Sequence, residues 1–339
     1  MFDKLLFTCN AVLPIILLII LGYFLKAIKL FPESFFKTLN KLCFRVCLPT
    51  LLFFNIYKVE NLGAIGENYQ IILYAALSII CVFFIGLVFA LIFIKDDRQK
   101  GVIIQCCFRS NYALIGIPLA EALANGNPIP VGLASIVSAI SIPLFNILAI
   151  IALSLFVKDE SGKKISVKNI VLNILKNPLI IGVFAGLVAL GIRALIPSNE
   201  EGNLVFSIQN NIPFLYKAIS QVAQTASPMA LIALGGTFTF SAIKRLKFQI
   251  ILGTTLRVLL VPLLGLVVAY FIGFRGNEFP ALIALFGTPV AVSSAPMSAE
   301  MGNDDELAGQ LVVWTSIFSA FSLFVMILIC AQIGIFAIW

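Results

Sequence analysis

The sequence predicts an all-α polytopic membrane protein of ten transmembrane helices, built as two inverted five-helix repeats with crossing broken helices at spans 4 and 9. Three observations predict it. Composition is 60% hydrophobic and only 12% charged over 339 residues. Apolar segments follow one another in series, each near the roughly 20 residues that a helix needs to cross a bilayer. Prolines recur at matching places in the two halves of the chain.

The ten spans fall near residues 6–27, 36–57, 69–94, 101–124, 131–157, 170–194, 213–240, 248–274, 279–300 and 306–335. The second is the least apolar, because Lys37, Lys41 and Arg45 occupy its first turns, where long side chains reach the headgroups. The N-terminus lacks the basic stretch, short apolar run and cleavage site of a signal peptide, so span 1 is expected to be retained.

Orientation follows from Lys and Arg. With both termini outside, the inside loops and helix ends hold Lys26, Lys29, Lys37, Lys41 and Arg45, then Lys95, Arg98, Lys100 and Arg109. Lys158, Lys163, Lys164, Lys168 and Lys176 follow, and then Lys244, Arg245, Lys247 and Arg257. That is 18 of the 23 basic residues, leaving Lys4, Lys58, Arg193, Lys217 and Arg275 outside. The net charge of +7 therefore reads as a cytoplasmic membrane face, with no nucleic-acid partner expected.

Pro14-Ile15-Ile16-Leu17 matches Pro178-Leu179-Ile180-Ile181, and Pro49-Thr50-Leu51-Leu52 lies opposite Pro228-Met229-Ala230-Leu231. Gly116-Ile117-Pro118 matches Gly287-Thr288-Pro289. The proline offsets are 164, 179 and 171 residues. Residues 1–157 form the first repeat, 158–169 a short cytoplasmic linker and 170–339 the second repeat. Five spans per repeat is an odd number, so the second half enters from the opposite face. Inverted repeats with interrupted helices are a transporter signature, with substrate near the midplane. The alternative is that these prolines only kink ordinary helices.

Span 4 reads Arg109-Ser110-Asn111-Tyr112 and onward to Gly116-Ile117-Pro118, with Glu121 beyond. Ten residues in from Gly101, Asn111 sits about 15 Å deep, near the bilayer centre. Gly116 permits non-helical backbone and Pro118 lacks an N–H, so the second half of the span is expected to restart at Pro118. In span 9, Thr288 reads as an N-cap, Pro289 as the first helical residue, and Ser293 and Ser294 follow. Two helix N-termini at the membrane centre suit an anion. Asn111, Thr288, Ser293 and Ser294 offer neutral hydrogen bonds to it, although serines also bond back to their own helix.

The remaining charges have two readings each. Arg109 either attracts the anion or snorkels to the surface. Glu121 and Glu300 are either ion-coupling sites or surface groups. Asn303 to Glu306 reads as the capped start of span 10, with Asn303 the N-cap.

No histidine is present and the seven cysteines include no CxxC pair. That removes His-based nucleophile arrangements and the usual zinc sites, and neither an enzyme nor a cofactor or metal is expected.

The chain resembles the auxin efflux carrier family, in particular its compact prokaryotic, malate permease-like members. The resemblance runs through Leu39-Asn40-Lys41-Leu42-Cys43-Phe44 to Leu48-Pro49, Asn111 with Gly116 and Pro118, Ala226-Ser227-Pro228-Met229-Ala230-Leu231-Ile232-Ala233-Leu234-Gly235-Gly236, and Pro289 with Ala299-Glu300-Met301-Gly302 and Thr315-Ser316. It implies a fold like that of sodium/proton antiporters and bile acid symporters. Spans 1, 2, 6 and 7 would be a scaffold that forms homodimers, and spans 3–5 with 8–10 a moving transport bundle. Asn111, Gly116, Pro118 and Pro289 match the crossover motifs, whereas Thr288, Ser293 and Ser294 rest on the helix-terminus reasoning alone. The aspartate pair typical of proton-driven antiporters of this fold is missing. The expected function is an elevator-like secondary carrier of a small organic carboxylate anion across the cell membrane. The alternatives are a sodium- or proton-coupled carrier of another solute and a non-transporting membrane sensor.

Overall fold

The structure is a computed structural model that describes residues 2–58, 68–124, 126–157, 167–197 and 205–335. Every regular element among them is helical. Those of seven residues or more are, in chain order, α1 (Phe2–Ala27), α2 (Glu33–Tyr57), α3 (Tyr69–Phe93), α4 (Asp97–Phe108), α5 (Tyr112–Leu123) and α6 (Pro128–Ser154). They continue with α7 (Val167–Lys176), α8 (Pro178–Leu195), α9 (Pro213–Thr237), α10 (Lys247–Ile272), α11 (Phe279–Gly287), α12 (Ser294–Glu300) and α13 (Asp305–Gln332). Six of these, α2, α3, α6, α8, α10 and α13, are long and apolar enough to cross a membrane. Their outward faces carry exposed Leu, Ile and Phe, among them Leu73, Phe84 and Ile92 on α3 and Ile181, Phe184 and Ile192 on α8. Apolar side chains on the outside fit a lipid solvent.

Three helices, α2, α5 and α10, accommodate a proline by the same device. A wide turn with i→i+5 hydrogen bonds occupies Cys43–Cys47 ahead of Pro49, Tyr112–Gly116 ahead of Pro118, and Leu256–Leu260 ahead of Pro262. A proline ring clashes with the carbonyl four residues back and offers it no N–H. One widened turn separates the two and lets the helix continue.

The helices pack in two groups. In the first, α1 runs along α9, and α2 packs against both α8 and α9. In the second, α3, α4 and α6 pack on one another, α11 packs on α5, α6 and α10, and α13 packs on α10 and α12. The groups meet where α1 lies on α13, where α6 touches α8, and where α12 touches α2. Glycine sets the approach of α1 to α9: a Cβ on Gly22 would collide with the Ile232 carbonyl, and one on Gly235 with the Ile19 carbonyl. Gly235→Val is therefore expected to push these helices apart and to cost about 1–3 kcal/mol. A lowered unfolding temperature in detergent would show it; an unchanged one would refute this packing.

Three sequence expectations need correction here. The sixth span does not begin at residue 170: Val167–Lys176 is a separate helix, and Asn177 starts the next by accepting a 2.9 Å bond from the Leu179 N–H onto Oδ1. The N-cap of α13 is Asp304, whose Oδ1 accepts from Leu307 N–H at 2.9 Å, while Asn303 is buried and donates to the Leu153 carbonyl at 3.0 Å. Arg109 and Arg257, counted with the inside loops and helix ends, are 2% and 1% exposed and belong to the interior. Most of the expected linker, 158–166 with Lys158, Lys163 and Lys164, lies outside the described residues, and 167–169 belong to α7.

Candidate functional site at the paired helix breaks

Both interrupted helices are present, and their breaks lie against each other. Between α4 and α5 the chain is non-helical at Arg109–Asn111; between α11 and α12 it is non-helical from Thr288 to Ser293. The two segments pair as a short antiparallel bridge, Ser110 opposite Val290. Asn111 N–H donates to the Pro289 carbonyl at 2.9 Å, and Ala291 N–H to the Arg109 carbonyl at 3.0 Å. Backbone groups that the broken helices leave unmatched are thereby satisfied by the other break, as a low-dielectric interior requires. Ser110 and Thr288 add a hydroxyl pair at 2.5 Å, and the Thr315 hydroxyl accepts from Val290 N–H at 3.2 Å.

In span 4 the break is not where the glycine and proline pointed, and in span 9 it begins after Gly287 but runs on past Pro289 to Ser293. Gly116 has helical φ −65° and ψ −49°, and Pro118 lies early in the helix that follows the wide turn, so span 4 restarts at Tyr112 rather than at Pro118. Gly116 is needed for space instead: a Cβ there would stand 2.9 Å from the Tyr112 ring. In span 9, Thr288 ends α11 rather than capping α12, with Oγ1 donating back to the Ala284 carbonyl at 2.9 Å. Pro289 is in the extended segment, and Ser293 holds the N-cap position without making a side-chain cap bond.

Arg257 holds this junction together. It comes from α10, ten residues after Lys247, and its guanidinium donates only to backbone carbonyls. Nε and Nη2 reach Thr288 O at 2.9 and 2.7 Å, Nη2 also reaches Leu285 O at 3.2 Å, and Nη1 reaches Cys107 O at 3.0 Å. Those carbonyls are at the C-terminal ends of α11 and α4, where helix dipoles place partial negative charge. The cation neutralises both C-termini and leaves the two N-termini, of α5 and α12, as the positive side of the junction.

On that side lies a cavity of about 50 Å³, with room for a few water-sized groups. Arg109, Ser110, Asn111 and Ser293 line it, together with Leu48 of α2, Asn146 of α6, Leu179 of α8 and Ser227 of α9. Ala113 and Leu114 in the first turn of α5, and Val292 and Ser293 ahead of α12, also line it, and their N–H groups take no protein acceptor among the described residues. The Asn111 Nδ2 and Ser227 Oγ atoms are buried without a hydrogen-bond partner.

Arg109 does not snorkel. Its Nη1 donates to Gln105 Oε1 at 2.9 Å and to Met297 Sδ at 3.0 Å, and its Nη2 donates to Asn146 Oδ1 at 2.8 Å. All three acceptors are neutral, and no carboxylate pairs with Arg109 among the described residues. A buried charge is ordinarily paired, so this arginine presents a positive potential to the cavity beside it.

Of the other sequence candidates, Gly116, Pro118, Thr288, Pro289 and Ser294 do not line this cavity, although Ser294 is buried with an unpartnered hydroxyl close to it in sequence. Glu121 is exposed on α5, and Glu300 pairs with Arg45 at 3.3 Å; neither reaches the cavity. Arg257, Asn146, Gln105 and Ser227 were missed. For Arg257 and Asn146 the signal was available, since a polar side chain ten or more residues inside an apolar span is a functional candidate by default.

A family model described as membrane transport protein matches residues 7–327. The chain is 24% identical over 323 residues to an uncharacterized transporter of Methanothermobacter thermautotrophicus, covering 93% of this chain and 95% of that one. It is 25% identical over 317 residues to an uncharacterized transporter of Methanocaldococcus jannaschii, covering 91% and 94%.

Proposed function

Because the chain belongs to the membrane transport protein family, the auxin efflux carriers, and is a multi-pass membrane transporter rather than an enzyme, we propose that it is a secondary carrier of a small organic carboxylate anion. The anion is held in the cavity where the two helix breaks meet. The observation that carries this reading is Arg109: a guanidinium 2% exposed, bonded only to neutral groups, lining a cavity that also holds the unpartnered Asn111 amide. A carboxylate there supplies the missing negative charge and accepts from Arg109, Asn111 and the free N–H groups of the half-helix N-termini. Ser293 and Ser227 complete its polar contacts. Ser294, Thr288, Gly116, Pro118 and Pro289 act through the shape of the junction.

Ten spans result when α4 with α5 and α11 with α12 each count as one crossing, together with α1 and α9. Repeat offsets support the inverted duplication beyond the prolines. Gly186 lies 164 residues after Gly22, and Ile232 lies 179 after Phe53; Gly22 approaches the Ile232 carbonyl on α9 as Gly186 approaches the Phe53 carbonyl on α2. The group α1, α2, α8 and α9 is the scaffold, and the remainder is the transport bundle that moves past it as an elevator. Exposed apolar faces such as Leu17 and Phe24 on α1 and Phe184 on α8 suit lipid and a second copy in a scaffold-mediated homodimer. Both termini face outward from the cytoplasmic membrane, with the basic helix ends inside.

The test is uptake into proteoliposomes of labelled acetate, pyruvate, succinate and malate. At least one is expected to accumulate with wild-type protein, and Asn111→Ala to lower its uptake about tenfold or more, one hydrogen bond to a charged group being worth roughly 1.5–3 kcal/mol. Failure of every carboxylate, with uptake of another solute, would remove the substrate class.

A further inference from the structure

The walls of the crossover cavity continue into a second, larger one. Its volume is about 660 Å³, and α2, α6 and α8, which line the inner cavity, line it too, joined by Lys176 of α7 and the end of α12. On α2, Phe44 and Arg45 stand about one turn from Leu48; on α8, Pro178 adjoins Leu179. On α6, Leu153 and Ser154 stand about two turns from Asn146, and on α12 Glu300 lies about two turns from Ser293. The outer cavity is therefore one to two turns from the inner one, on the side that the basic residues assign to the cytoplasm.

Its polar lining is Arg45, Lys176, Asn177, Ser154 and Glu300. Lys176 forms no ion pair among the described residues, and Arg45 is held at 3.3 Å by Glu300. Ser154 is 2% exposed and its hydroxyl has no partner. Asn177 caps α8 here, which brings the positive end of an 18-residue helix to the wall. Two cations and one carboxylate leave the cavity net positive.

We propose that this cavity is an outer anion-binding site, an antechamber that takes a small soluble carboxylate between Arg45 and Lys176 before it reaches the crossover. Glu300 occupies Arg45 as a stand-in carboxylate and gives it up when the soluble anion arrives. The proposal rests on reading the chain as an anion carrier. It gives Glu300 a role opposite to ion coupling: loss of its charge strengthens anion attraction.

A thiol reporter tests this without knowledge of the transported species. Met301→Cys lines the outer cavity, and its modification is followed by peptide mass spectrometry in phosphatidylcholine nanodiscs, so the native cysteines stay in place. Rates with anionic sulfonatoethyl and cationic trimethylammonioethyl methanethiosulfonate are compared, normalised to free cysteine. The anionic reagent is expected to be favoured. Lys176→Gln and Arg45→Gln should each lower the preference about two- to threefold, and Glu300→Gln should raise it by a similar factor, the effect of one unit charge across a few Å of water. Millimolar succinate should slow both reagents. Ser154→Cys serves as reporter if Met301→Cys does not purify as a single species. Rates indifferent to the three charges, or no succinate protection, overturn the proposal. Protection abolished by adding phosphatidylglycerol assigns the cavity to a lipid headgroup and also overturns it. Charge-indifferent rates alongside Asn111-dependent uptake remove the antechamber alone; charge-sensitive rates without any carboxylate uptake remove the carrier reading and keep the outer site.

Discussion

Arg257→Met is expected to yield a protein that accumulates poorly, unfolds several degrees lower in detergent and transports nothing. The substitution keeps an unbranched apolar stem and removes the guanidinium with its four donated bonds to Thr288, Leu285 and Cys107 carbonyls. Three carbonyls then remain buried without these donors, at about 1–3 kcal/mol each, and the C-termini of α4 and α11 lose their neutralising cation. Arg257→Lys should fall between, because one ammonium reaches fewer carbonyls than a planar fork. Wild-type thermal stability in Arg257→Met would mean that the paired breaks are held by Ser110, Asn111 and Ala291 alone.

Arg109→Gln should do the reverse, leaving the fold intact and abolishing transport. Its three partners, Gln105, Asn146 and Met297, are neutral, so removing the guanidinium strands no buried carboxylate. What disappears is the positive charge beside the cavity. Loss of one partner of a buried charge pair with a substrate costs about 2–5 kcal/mol, or roughly 30- to 4,000-fold in uptake at low substrate. Near-wild-type stability with uptake lost at least 30-fold is the expected pair of measurements. Uptake within threefold of wild type would show that the transported solute does not meet Arg109.

How far the sequence disclosed the site can be judged from these two arginines. Hydropathy and length located the six long apolar helices among the described residues, because a span must be apolar over its whole length and lipid leaves few exceptions. The pairing of two interrupted helices was also legible, from Gly116 to Pro118 and Gly287 to Pro289. The position of the interruption in span 4 was not. Pro118 reads as a restart signal, yet a widened turn absorbs it, and the break falls at Arg109–Asn111, where the opposing segment supplies the hydrogen bonds. That is a tertiary event with no local signature. Arg257 was hidden for another reason. Counting basic residues for orientation treats each as a surface group, whereas this one ends against carbonyls from two helices more than 170 residues apart in sequence. Glycine misled as well, since Gly116 provides room for the Tyr112 ring rather than unusual backbone angles.

A carboxylate bound where the two breaks meet should be visible in a cryo-electron microscopy map of the protein in nanodiscs, recorded with the carboxylate that accumulates in the uptake screen. Density for the anion is expected within hydrogen-bond distance of the Arg109 guanidinium and the Asn111 amide, between the first turn of α5 and Val292–Ser293. Density bound elsewhere, with these groups unchanged and uncontacted, would contradict this placement.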